Sequence, residues 1–140
     1  MARGFTLIEL MVVIVIIALG TALAALALPD ARDTALTRDA ERLAALLESA
    51  RAQSRAAGVP VSWRPTADGF AFDGLPATAP RLPGHWLDAR TTVDGNAPLL
   101  LGPDPVIGAQ AVVLHPAGAS QPQWRVGTDG LRPFAAEQIE

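Results

Sequence analysis

A long uncharged stretch near the N-terminus constrains this 140-residue chain most strongly. Residues Leu10 to Leu28 contain no charged side chain. As a helix rising about 1.5 Å per residue they would extend about 28 Å, close to the roughly 30 Å thickness of a bilayer's hydrocarbon core. The stretch therefore predicts a membrane-spanning helix, and the acidic residue Glu9 lies immediately before it.

Glu9 requires an explanation, because carrying a carboxylate into a bilayer costs about 2.5–3.5 kcal/mol even on insertion scales. An ionisable residue at such a position indicates a function if a partner for its charge can be named. The alternative is a Glu9 that merely extends its carboxylate to the headgroups. A cleaved secretory signal is a further alternative, since Ala22–Ala24 and Ala25–Ala27 offer small-x-small sites, but Glu9 disfavours it. A buried core helix would show a polar stripe, which this stretch lacks.

Charge and composition restrict the orientation of the chain in the membrane and the ligands that it can bind. Arg3 and the initial amino group lie on the short side of the apolar stretch, so the positive-inside rule keeps that end cytoplasmic and sends the rest outward. Eleven basic against fourteen acidic residues give a net charge of −3, so no basic field is available to hold nucleic acid. The absence of cysteine excludes disulfides and thiolate metal sites.

The sequence Arg-Gly-Phe-Thr-Leu-Ile-Glu at residues 3–9, followed at once by the apolar run, resembles the class III signal of type IV prepilins and type II secretion pseudopilins. The resemblance implies that a membrane-embedded prepilin peptidase cuts after Gly4 and methylates the new N-terminus on Phe5. It further implies that Glu9 pairs with the N-terminal amine of a neighbouring subunit during filament assembly. That amine is the missing partner for the Glu9 carboxylate.

A second helix is predicted over Asp30–Ala57, after a kink at Pro29. The side chains at spacings of three and four form one mostly apolar stripe: Leu36, Ala40, Leu43, Leu47, Ala50, Ser54 and Ala57. The pairs Asp39/Arg42 and Glu48/Arg51 are predicted to lie on a solvated face, where such pairs contribute little. Gly58 and Pro60 indicate the end of the helix.

The remaining residues are predicted to form antiparallel strands. Val59–Arg64 and Gly69–Asp73 alternate with period two around a turn at residues 65–68, which indicates a hairpin. Further candidate strands are Trp86–Val93, Pro98–Leu101, Ala109–His115, Gln123–Val126 and Leu131–Ala135. The predicted fold class is α+β, a long N-terminal helix whose first half spans the membrane and whose amphipathic second half packs on an antiparallel β-sandwich-like head.

The sequence predicts no catalytic centre, cofactor or metal site. His85 and His115 lie thirty residues apart and have no cysteine to complete a ligand set. Asp68, Asp94 and Asp129 precede glycines and are typical of turns, with a loop calcium site as the alternative.

The three tryptophans are typical of a small β-domain's core, at Trp63, Trp86 and Trp124. The alternative is an interface role, for which Trp86 is the strongest candidate because it lies in a stretch rich in proline and glycine.

The order of elements also resembles the H-type minor pseudopilin of type II secretion, through the amphipathic helix, the turn and strand at residues 67–72 and the late segments around residues 115–130. The implied divisions are a leader, an assembly helix, an amphipathic helix and a head, at residues 1–4, 5–29, 30–58 and 59–140. The implied function is a structural subunit at or near the pseudopilus tip, in the bacterial inner membrane with the head in the periplasm.

The partners that this resemblance implies are the prepilin peptidase, the I-, J- and K-type minor pseudopilins and the major pseudopilin. The first alternative is a minor type IV pilin that primes pili or captures DNA. DNA capture requires exposed basic residues, yet residues 132–140 carry one arginine against two acids. A membrane-tethered periplasmic enzyme is the second alternative, which the missing catalytic constellation disfavours.

Overall fold

The computed structural model describes residues 4–27 and 31–139. Two helices are followed by seven strands: α1 Leu7–Ala27, α2 Ala31–Ala57, β1 Val61–Thr66, β2 Gly69–Asp73, β3 Thr91–Val93, β4 Leu99–Gly102, β5 Gln110–Pro116, β6 Gln123–Thr128 and β7 Ala135–Ile139. By its contacts the chain divides into two compact units, Met1–Ala31 and Arg32–Glu140. The kink predicted at Pro29 lies outside the described residues.

α1 is a single helix of 21 residues with no amphipathic pattern. A 19-residue segment, Leu7–Ala25, is long and apolar enough to cross a membrane, and none of it is buried within the protein. Its one internal hydroxyl, on Thr21, donates to the carbonyls of Ile17 and Ala18, both at 3.0 Å. The hydroxyl is therefore hydrogen-bonded within the helix, as an apolar environment requires.

α2 forms the predicted amphipathic helix, and six of the seven stripe residues are buried, with Ala57 the exposed exception. Ala57 is exposed because the helix ends there. Gly58 follows in the left-handed conformation, with φ of 65°, and the Val59 amide donates to the Ser54 carbonyl at 3.2 Å. This is the Schellman arrangement that closes a helix C-terminus.

The head has two antiparallel sheets, with strand orders β2-β1-β4 and β3-β5-β6-β7. The predicted hairpin is confirmed, with Trp63 opposite Phe72 in its register. α2 packs on these sheets through one apolar cluster, in which Leu43, Leu47, Trp63, Leu101 and Leu114 are at most 1 % exposed. The predicted α+β class with an antiparallel sheet head is confirmed.

Two predicted strands differ from those observed. Residues 86–90 are not in a strand, because the amides of Leu87 and Asp88 bind a side chain of α2, and only Thr91–Val93 joins a sheet. The last strand is β7 at Ala135–Ile139 rather than Leu131–Ala135, because residues 129–132 form a hydrogen-bonded turn.

Candidate functional site

The N-terminal segment singled out by the sequence lies at the start of α1. Thr6 precedes the first helical residue, and both its carbonyl oxygen and its hydroxyl accept from the Glu9 amide, at 3.1 and 3.4 Å. Thr6 is therefore the N-cap of the helix. The spacing of Thr6 and Glu9 is that of a capping box, a sequence signal from which the role of Thr6 could have been predicted.

Gly4, Phe5 and Glu9 are all exposed within the described protein, and the Phe5 side chain is 79 % exposed. Glu9 lies in the first helical turn, where the helix dipole favours a negative charge. Among residues 4–27 and 31–139 its carboxylate has no ion-pair partner. The structure thus brings the three residues together at one accessible helix end, while cleavage, methylation and charge pairing remain predictions.

The side chain of Asp39 is a buried polar group that ties α2 to the segment before β3. It is 1 % exposed. Its carboxylate accepts from the Leu87 amide at 2.7 Å, the Asp88 amide at 3.1 Å and the Thr91 hydroxyl at 2.7 Å. These three hydrogen bonds hold residues 87–91 against the helix.

Replacing Asp39 with alanine is expected to destabilise the head by roughly 3 kcal/mol, because two backbone amides and a hydroxyl would lose their acceptor in a buried position. Urea unfolding of the full-length protein in detergent, followed by tryptophan fluorescence, measures the change. The Glu41→Ala variant is the matched control, since Glu41 is exposed on the same helix. A loss no larger than that of the control would contradict the assigned role of Asp39.

Arg51 is the second buried charge on α2, and it is 3 % exposed. Its guanidinium donates to three backbone carbonyls, those of Pro105, Gly130 and Arg132, at 3.1–3.4 Å. It also forms an ion pair with Glu48 at 3.3 Å, and Glu48 in turn accepts from the Phe134 amide at 3.0 Å. One helical turn therefore fixes the β4–β5 and β6–β7 connections.

The prediction that Asp39 and Arg51 lie on a solvated face of α2 is therefore wrong, because both side chains are buried. The expected pairing within Asp39/Arg42 is also not found, since Arg42 donates to the His85 carbonyl at 2.7 Å instead. Asp39 and Arg51 are buried because their side chains hydrogen-bond backbone groups of distant loops.

The predicted turn role is confirmed for Asp129. Its carboxylate accepts from the amides of Leu131 and Arg132, at 3.0 and 2.7 Å. The Arg132 amide and guanidinium, followed by the Leu131 amide, hold the pKa of this carboxyl well below its usual range. The Arg90 guanidinium and amide likewise lower the pKa of Asp88 to about 2. Both aspartates therefore stabilise their turns through hydrogen bonds.

The two histidines have separate surroundings. His115 lies on β5 with Nε2 3.0 Å from the Asp94 carboxylate, and the Thr92 hydroxyl lies 3.2 Å from Nδ1. The His85 side chain is exposed, and the backbone of His85 forms an isolated antiparallel β-bridge with Gly69. Within the described ranges no group of three histidine, cysteine or acidic side chains converges on a point.

The core prediction is confirmed for Trp86, and its alternative partner-facing role is wrong, because this side chain is only 9 % exposed and its ring packs on Phe70 with a centroid distance of 4.7 Å. The core prediction is confirmed for Trp63, which is fully buried, and Trp124 is partly buried against the same cluster.

Comparison with known families gives two matches. A family model described as a prokaryotic N-terminal methylation motif matches residues 1–25. A second, described as type II transport protein GspH, matches residues 39–140. No curated protein and no solved structure matches the chain. The first match covers most of α1, and the second covers most of α2 and all of the described strands.

Proposed function

Because the chain belongs to the type II transport protein GspH family, we propose that it is a minor pseudopilin of a type II secretion system. In this role it is a structural subunit, located at or near the tip of the pseudopilus, that helps to assemble the filament driving protein export. The match of residues 39–140 to the GspH family is the observation that carries the proposal. The methylation motif over residues 1–25 adds the filament-forming helix that such a subunit requires.

The exposed helix start supports a processing step. Gly4 and Phe5 precede the first turn of α1 and are accessible, as a peptidase requires of its substrate bond. Cleavage between them by the prepilin peptidase leaves an amino group on Phe5, which is then methylated. The helix that carried the leader stays in the protein as its anchor.

The position of Glu9 supports an assembly step. In the free subunit its carboxylate lies at the edge of an apolar helix with no cationic partner among the described residues. When the helix enters the filament, the carboxylate pairs with the Phe5 amine of a neighbouring subunit. Pairing removes the unfavourable free energy of a lone charge near lipid, so docking and charge neutralisation occur together.

The proposed topology follows the same elements. α1 crosses the inner membrane once, with its short N-terminal side in the cytoplasm and the head in the periplasm. There the head contacts the I-, J- and K-type minor pseudopilins and the major pseudopilin. No chemistry is required of the head, because a subunit that assembles acts by its contacts.

Deletion of the gene in the host bacterium tests the function. Loss of exoprotein from the culture medium, its accumulation in the periplasm and rescue by the wild-type gene are the expected results. Twitching and DNA uptake should be unchanged. Normal secretion with defective pili or transformation would instead assign the chain to a type IV pilus.

A further inference from the structure

The head carries an open groove along the edge of its three-stranded sheet. The groove encloses about 480 Å³ and is bounded on one side by residues 70–72 of β2. The loop of residues 75–84 forms the other side, and the larger apolar side chains it contributes are Leu75, Pro76, Pro80 and Leu82. The volume lies in the range of pockets that bind ligands in other proteins.

The backbone of β2 faces this groove with unused hydrogen-bonding groups. β2 is an edge strand: among the described strands it pairs with β1 alone, and an isolated bridge joins Gly69 at its start to His85. Phe70 lies opposite Pro65, which has no amide hydrogen. The Phe70 amide points away from β1 and donates to the Gly84 carbonyl at 2.9 Å. Because strand residues alternate, the amide and carbonyl of Phe72 point the same way, and within the described chain no backbone group from the loop bonds them.

Among the described residues, Arg81 is the only charged one that lines the groove. Its side chain is exposed and forms neither a hydrogen bond nor an ion pair with any described residue. An unpaired guanidinium beside apolar walls and a free strand edge is complementary to a carboxylate carried on an extended chain.

We propose that this groove binds an extended segment of a partner protein by β-strand addition. The segment pairs with the backbone of Phe72, places apolar side chains against the proline-rich loop and presents an acidic side chain to Arg81. The inference goes beyond the proposed function and does not depend on it. Three prolines within residues 75–84 restrict the loop before binding, which lowers the entropy lost on association.

The occupant is a single segment rather than the sheet edge of a second copy. Residues 75–84 form the far side of the groove, so an incoming segment has to lie between this loop and β2. The acidic edge strand of this protein, β7, is paired with β6 along its length, so it would bring a whole sheet with it. A flexible terminus or loop of another protein meets the requirement.

The probe is a phage-displayed library of random octapeptides, panned against the full-length protein in lipid nanodiscs. The enriched peptides are expected to share one acidic residue flanked by apolar or β-branched residues. Fluorescence anisotropy of a synthetic enriched peptide then gives Kd for each variant. Arg81→Glu should weaken binding roughly ten- to hundredfold, the effect of losing a charge-assisted hydrogen bond. Arg81→Lys should retain most of the affinity.

The matched control is Arg125→Glu, which reverses the charge of an exposed arginine on β6 in the other sheet and should leave Kd unchanged. Hydrogen exchange at the Phe72 amide supplies a second readout and should slow when the peptide binds. Failure of the library to enrich any peptide, equal binding by the Arg81→Glu variant or unchanged exchange at Phe72 would each overturn the proposal. Self-association through the groove in place of peptide binding would also overturn it.

Discussion

The Glu9→Gln variant is expected to insert into the membrane and be processed normally, yet to enter filaments far less than the wild-type protein. Glutamine retains the size and hydrogen-bonding capacity of glutamate but has no charge to pair with a neighbour's Phe5 amine. Insertion should be as efficient or better, because a charged group near the bilayer has been removed. Assembly should suffer, because the amine that would meet Glu9 becomes an unpaired charge near lipid.

Sheared filaments and membrane crosslinking between subunits measure this loss directly, after mass spectrometry has shown that the variant is processed. Glu41→Gln is the matched control, because Glu41 is an exposed acid on α2 and its neutralisation should not affect incorporation. Wild-type incorporation of processed Glu9→Gln protein would exclude charge pairing. Glu9 would then be a residue whose carboxylate only reaches the headgroups.

Replacing Arg51 with alanine is expected to destabilise the head by about 3–5 kcal/mol, the range for removing one partner of a buried ion pair. Three backbone carbonyls would lose their donor, and Glu48 would lose its cation. The β4–β5 and β6–β7 connections would then lose their shared anchor on α2. A loss of this size is a large part of a small domain's total stability.

Urea unfolding of the full-length protein in detergent, followed by tryptophan fluorescence, gives this free energy because all three tryptophans lie in the head. Arg55→Ala is the matched control, since Arg55 is exposed one turn further along α2 and should change the stability by less than about 0.5 kcal/mol. Arg51→Lys should remain destabilised, because an ammonium lacks the planar fork of donors. Equal stability of Arg51→Ala and Arg55→Ala would contradict the anchoring role.

Elements set by local periodicity could be predicted from the sequence. The stripe over residues 36–54 has the helical repeat, and the alternation over residues 61–73 has the strand repeat, so α2 and the first hairpin were predicted closely. The end of α2 could be predicted from Gly58 and Pro60, because their effect on the backbone is local. The apolar run of α1 required only its length and composition.

Contacts between distant residues could not be predicted. Asp39 lies three residues after Leu36 and four before Leu43, so its position beside the apolar stripe could have suggested burial. The stabilising partners of Asp39 are backbone amides about fifty residues away, which no periodicity reveals. The position of β7, which begins four residues later than predicted, has the same kind of cause. The turn before this strand depends on Asp129 and on Arg51 from α2.

The prediction of Gly4, Phe5 and Glu9 depends neither on local periodicity nor on contacts between distant residues. Gly4, Phe5 and Glu9 could be singled out because residues 3–9, followed by the apolar run, resemble a prepilin signal, and the same segment matches the N-terminal methylation motif. The partner proposed for Glu9 belongs to another subunit, so a single chain shows only the accessible carboxylate.

The intact mass of the protein purified from its own bacterium tests the central claim, that this chain is a processed filament subunit. Removal of residues 1–4 from the 140-residue chain leaves 140 − 4 = 136 residues. The expected mass equals that of residues 5–140 plus one methyl group, with the methyl located on the Phe5 amine by fragmentation. A chain that begins near Leu28, or one that retains Met1–Gly4 in cells with an active prepilin peptidase, would contradict it.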